Sequence, residues 1–142
     1  MRNILKLTLG LASAIVLLPA ITATADTTLF NSKGDAVAYI DDDDLTIYLW
    51  SGKPVAYLVT GSVWAFNGDH LGWFAHGIIR DHDGDIVGCV KDAVIMTYNF
   101  EPFKGFKQFV PFKEFKKDAH YKHDDKNEWS ATTLALFLQD NP

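Results

Sequence analysis

Leu29-Phe-Asn-Ser-Lys-Gly34-Asp-Ala-Val-Ala-Tyr-Ile40 decides the fold, because the chain repeats its pattern three more times. The other copies are Ile47-Tyr-Leu-Trp-Ser-Gly52-Lys-Pro-Val-Ala-Tyr-Leu58, Val63-Trp-Ala-Phe-Asn-Gly68-Asp-His-Leu-Gly-Trp-Phe74 and Ile79-Arg-Asp-His-Asp-Gly84-Asp-Ile-Val-Gly-Cys-Val90. Aligned on their glycines, they share an aliphatic residue five positions before the glycine and another three after it. A small residue follows (Ala38, Ala56, Gly72, Gly88), then Tyr39, Tyr57, Trp73 or Cys89.

Each copy sets β-branched and aromatic residues on both sides of a glycine turn, the pattern of a hairpin. Asn67-Gly68 and Asp83-Gly84 suit two-residue turns, where both central residues take positive φ. Four hairpins give about eight short strands, and one hairpin cannot bury its own apolar face. The glycines fall 18, 16 and 16 residues apart, too close for propeller blades of about 40 residues. The expectation is a mainly β protein: four hairpin repeats in a pseudo-fourfold radial or closed arrangement that hides its edges. The small-residue column marks a crowded axis, expected to be backbone against backbone. Asp41 to Asp44 reads as a solvated acidic loop, since four adjacent like charges repel.

Asn31-Ser-Lys-Gly-Asp-Ala-Val-Ala-Tyr-Ile40, Asn67-Gly-Asp-His-Leu-Gly-Trp-Phe74 and Gly77-Ile-Ile-Arg-Asp-His-Asp-Gly84 resemble the bacterial four-fold β-flower proteins. The resemblance is close over residues 28–90. It implies four hairpin petals around a central axis and no established activity.

Residues 1–25 read as a secretory signal peptide. Arg2 and Lys6 precede an apolar run from Leu7 to Leu18, Pro19 ends it, and Ala23-Thr-Ala25 is a small-x-small cleavage pattern. The apolar run is too short to span a bilayer, so the protein is expected to be exported, to the periplasm or beyond. Without those residues, eleven basic side chains face eighteen acidic ones, which argues against a nucleic-acid partner. Cys89 is the only cysteine, so no internal disulfide exists, and it reads as a packed apolar residue. The organisation is signal peptide 1–25, four-hairpin domain 26–98, Phe-x-x tract and polar loop 99–128, and helical tail 129–142.

In the tract, Phe100, Phe103, Phe106, Phe109, Phe112 and Phe115 recur every third residue, with Lys104, Lys107, Lys113 and Lys116 between them. A spacing of three fits neither an α-helix nor a strand, whereas a polyproline II spiral aligns all six rings. Burying each ring would stabilise by about 1.5–3 kcal/mol, so the first expectation is that the row completes the core. The alternative is an interaction strip, Phe103 to Phe115, for a partner protein or a membrane surface. Trp129 to Leu138 reads as a short C-terminal helix with Ser130 as N-cap and Leu134, Phe137 and Leu138 on its docking face.

No nucleophile motif, phosphate loop or zinc signature occurs, so no cofactor or metal is expected. His120 and His123 beside Asp124 and Asp125 lack a completing ligand nearby. Asp81-x-Asp83-Gly84-Asp85 resembles part of a calcium loop but lacks its distant glutamate. Arg80 stands where the earlier copies have Phe30, Tyr48 and Trp64. A candidate binding site therefore comprises Arg80, Asp81 and His82 with His70 and Trp73. The leading functional expectation is a non-enzymatic exported interaction or scaffold module. The alternatives are a carbohydrate or cell-wall ligand-binding module, and a small enzyme using Arg80, Asp81 and His82.

Overall fold

The computed structural model describes residues 10, 12–18 and 25–139. The expected signal peptide lies largely outside the described residues. Eight antiparallel strands close a barrel in sequence order: β1 (Thr27–Phe30), β2 (Ala36–Ile40), β3 (Thr46–Leu49), β4 (Pro54–Val59), β5 (Ser62–Ala65), β6 (His70–Ala75), β7 (Ile78–Arg80) and β8 (Ile86–Cys89). Phe30 pairs with Cys89 to join the last strand to the first. Closure gives every strand two neighbours, which removes exposed sheet edges.

The four repeats are the hairpins β1–β2, β3–β4, β5–β6 and β7–β8. Each sets one large aliphatic residue directly opposite one small residue: Leu29 with Ala38, Ile47 with Ala56, Val63 with Gly72, Ile79 with Gly88. These side chains line the core, and the large ones are fully buried. One position later every hairpin has the same register shift, between Leu29 and Phe30 and at its three equivalents. Such a bulge increases local twist, and its repetition bends four short hairpins into one closed wall.

The turns differ from expectation. Lys33, Ser51, Asn67 and Asp83 do not take positive φ; only the glycines that follow them do. Gly34 donates its amide to Asn31 O while Asn31 N donates to Asp35 O, which makes a three-residue loop ending in a left-handed glycine. Asn31 and Asp81 brace their loops by accepting two backbone amides each. The two-residue turns lie between the hairpins, at Thr60-Gly61 and His76-Gly77, where both residues have positive φ.

Helix α1 (Leu134–Gln139) is shorter than expected. Its cap is Thr133, whose Oγ1 accepts the Leu136 amide at 3.3 Å, while Ser130 Oγ serves the Thr132 amide just outside the helix. Leu134, Phe137 and Leu138 are buried in the barrel core. This helix contributes to the crowding at the small-residue column. A Cβ at Gly88 would meet Leu134, and one at Gly72 would meet Phe137 as well as the Arg80 carbonyl. The column is thus crowded by backbone at Gly72, as expected, and by the inserted helix at Gly88.

Residues 99–126 form neither helix nor strand and run around the barrel as a girdle. Asn99, Gln108, Lys117 and Lys126 donate their amides to the carbonyls of Gly34, Gly52, Gly68 and Gly84, at 2.8, 2.9, 2.8 and 3.0 Å. Nine girdle residues therefore answer one hairpin repeat, three turns of a three-residue spiral. At each crossing a Cβ on the turn glycine would strike a backbone carbonyl, of Thr97 just before the girdle or of Phe106, Phe115 or Asp124 within it. Close approach by the girdle is a second reason for glycine at these turns.

The first expectation for the phenylalanines fails. All six side chains are between 88% and 103% exposed, and Tyr121 continues the row at 82%. The lysine face turns inward instead. Lys104 lies 4.3 Å from the Tyr39 ring centroid and Lys113 lies 4.4 Å from that of Tyr57. Lys104 and Lys107 both pair with Asp26, and Lys107 also pairs with Asp41. Cation–π contacts and ion pairs hold that face on the barrel, which commits the third residue of each turn to solvent.

Candidate functional site

Two features stand out: the exposed phenylalanine row, and a histidine cluster where the third and fourth hairpins meet the girdle. The cluster divides the residues of the candidate binding site. His70, Trp73 and His82 come together; Arg80 and Asp81 are held elsewhere. His70 at the start of β6 is 3% exposed, and its Nδ1 lies 3.1 Å from His82 Nε2. Its Nε2 lies 3.3 Å from Ser62 Oγ. Trp64 and Trp73 meet the His70 ring edge-on, with centroids 4.9 and 4.8 Å away.

His120 supplies the member that local spacing could not indicate. Its ring stacks on His82 at a centroid distance of 3.7 Å. His123, its sequence neighbour, packs against Tyr121. Burial pushes the His70 pKa down to about 4, with His82 and His120 adding to the effect. Burial also lowers His82, helped by His120 and opposed by Asp81 and Asp83. Burial thus favours the neutral form of both rings.

The symmetry shows what changed. Two residues before the glycine stand Ser32, Trp50, Phe66 and His82; nine apart on the girdle stand Pro102, Pro111 and His120; two after the glycine stand Ala36, Pro54, His70 and Ile86. At the first junction Trp50 donates its indole N–H to Pro102 O at 3.2 Å and meets Tyr39 edge-on. Trp73 meets His82 in the same way. Histidine occupies all three positions only where hairpins three and four adjoin.

Arg80 departs from its column for a different reason. At the equivalent positions Phe30 meets Tyr98, Tyr48 lies under Lys107, and Trp64 lies under Lys116. In the fourth hairpin the polarity is reversed. Arg80 Nε lies 3.6 Å from Asp125, and its Nη1 donates to the carbonyls of Gly84 and Lys126. Arg80 thus fastens the girdle, and Asp81 is occupied by its turn amides. Cys89 is fully buried, and burial raises its thiol pKa, with a hydrogen bond to Tyr98 opposing. It acts as a packed residue.

A closed barrel of four like hairpins, laced by its own C-terminal tract, defines a radial repeat protein. This chain belongs to the 4-fold beta flower protein family, whose profile matches residues 27–138. No curated protein and no solved structure matches it.

Proposed function

We propose that the protein is an exported, non-enzymatic interaction module that engages an apolar protein surface through the phenylalanine row of its girdle. The observation that carries this reading is the exposure of six successive row positions, each at least 88% open to solvent. An apolar strip of this length left in water marks a contact surface.

The spacing favours a protein partner over a lipid. Three residues of a polyproline spiral advance about 9.3 Å, so a ring inserted between two row members lies about 4.7 Å from each, within the preferred aromatic range of about 4.5–7 Å. Clefts already open along the row, one of about 500 Å³ between Phe100, Phe103 and Trp50. Attraction to an anionic bilayer needs displayed positive charge, yet Lys104 and Lys107 are turned onto tyrosine rings and acids. Catalysis is disfavoured because Arg80 and Asp81 are engaged in holding the girdle and the turn. Sugar stacking on the hairpins is disfavoured because Tyr39, Tyr48 and Tyr57 are buried beneath lysines. Export rests on the pattern of residues 1–25.

The test compares the purified protein with a Phe106→Glu/Phe112→Glu variant. Retention of a discrete set of envelope proteins, reduced at least tenfold in the variant, is the expected result, with no flotation on zwitterionic or anionic vesicles. Equal retention by both forms, or binding to vesicles alone, sinks the reading. Because both side chains are exposed, the variant should unfold within about 0.5 kcal/mol of the parent.

A further inference from the structure

We propose that His70, His82 and His120 form a binding site for a divalent transition-metal ion of the zinc type, which pins the girdle to the third and fourth hairpins. One nitrogen from each ring lies within 4.8 Å of the others. The three residues are far apart in the chain, and the closed barrel and the girdle crossing bring them together. At the two preceding junctions the same three positions carry Ala36, Trp50 and Pro102 or Pro54, Phe66 and Pro111, and the hairpin positions between copies four and one are Ile86 and Ser32, so none of these sets offers an imidazole. Triple replacement by imidazole at one junction supplies three borderline nitrogen donors, a set that suits Zn²⁺, Cu²⁺ or Ni²⁺ and not Mg²⁺ or Ca²⁺.

The surroundings suit a cation. With Ser62 Oγ accepting from the His70 Nε2–H, the Nδ1 lone pair turns toward His82, the outer support that metal-binding imidazoles need. Asp81 and Asp83 act electrostatically on His82, and Asp69 interacts with His120. Trp64 and Trp73 wall the His70 side and limit water access there.

One adjustment is required. The His82 and His120 planes are only 20° from parallel, so their lone pairs do not yet converge. His120 is the exposed ring of the three, on the girdle, and rotation about its side-chain bonds takes it out of the stack. The fourth position of a tetrahedral site then faces solvent and takes water or an external donor. By contrast, the carboxylates of Asp81, Asp83 and Asp85 form only an acidic turn whose first member caps its own backbone.

The experiment titrates the purified chain with Zn²⁺ by calorimetry, with Co²⁺ by visible absorption, and with Cu²⁺ by quenching of the nearby tryptophans. The expected result is one equivalent bound at micromolar Kd or tighter, and a midpoint temperature raised by about 5 °C at saturating Zn²⁺. His82→Phe/His120→Pro installs the residues of the preceding junction and should weaken binding at least 100-fold. His120→Ala serves if that pair misfolds, and His123→Ala should bind as the parent does. Absence of saturable binding overturns the proposal. So does affinity that survives both histidine variants, or that is lost in Asp81→Asn instead.

Discussion

Gly52→Ala probes the girdle through one atom. Gly52 has φ +92°, and an added Cβ would overlap the Phe106 carbonyl, with the carbonyl carbon only 2.6 Å away. Two costs follow. The left-handed backbone costs a non-glycine residue about 1–2 kcal/mol. Relief of the overlap pushes the girdle outward and breaks the bonds from Gln108 N to Gly52 O and from Gly105 N to Trp50 O, about 0.5–1.5 kcal/mol each. The expected loss is about 2–5 kcal/mol from a domain whose whole stability is about 5–15 kcal/mol. Gly61→Ala is the matched control. Its φ is +75°, but its Cβ would meet nothing closer than Phe74 O at 3.4 Å, so only the backbone cost of about 1–2 kcal/mol applies. Urea unfolding at constant m measures both losses, and amide exchange at Gln108 and Gly105 localises the first. Equal destabilisation by the two variants, or full protection of Gln108 in Gly52→Ala, would refute the girdle contact.

The remaining predictions concern the same attachments. Hydrogen bonds from girdle lysines hold Asp41 and Asp69 of the barrel loops below the ordinary carboxylate value of 3.8. At Asp26 burial pushes the other way, and Lys104 and Lys107 outweigh it. Folded values below unfolded ones mean that this stabilisation is complete above about pH 4 and is lost as pH falls through the depressed values. Girdle amides should therefore lose protection as pH falls below about 4, before barrel amides do; simultaneous loss would contradict the assignment. Thr133→Ala should cost about 0.5–2 kcal/mol in chemical denaturation as the loss of a true cap, and Ser130→Ala distinctly less. Leu134→Ala, which empties the space against Gly88, should cost about 2–5 kcal/mol and retain the barrel's far-UV signature; a loss below about 1 kcal/mol would show that the helix is not part of the core.

The hairpins were legible because each is a local unit whose turn and flanks lie within a dozen residues. Hydrophobicity misled at the phenylalanines because a three-residue spiral has three faces and only one can dock. Lysine stems over Tyr39 and Tyr57 won that face, helped by Asp26, a partner some 80 residues away in the chain. The girdle's nine-residue period was hidden because it is written in backbone amides and carbonyls, which leave little trace in side chains. Arg80 was visible as a break in the repeat, but its reason lay in Asp125 at the other end of the chain. His70 and His82 were legible as candidate binding residues, but His120 was grouped with its sequence neighbour His123, because only the girdle crossing brings it to the other two. The signal was available, since laying the columns Trp50–Phe66–His82 and Pro102–Pro111–His120 side by side places both substitutions at one junction.

The nine-residue stitch makes the length of the girdle a quantised property. Removing one residue between Gln108 and Lys117 would rotate the following segment by a third of a turn, presenting phenylalanine to the barrel and lysine to solvent. Removing three would preserve the faces but leave Lys117 short of Gly68 by a third of the interval. Only a change of nine residues, matched by the gain or loss of a whole hairpin, keeps faces and stitches together. Viable length variants of this segment should therefore differ by complete petals, so that the belt and the flower can change size only in step.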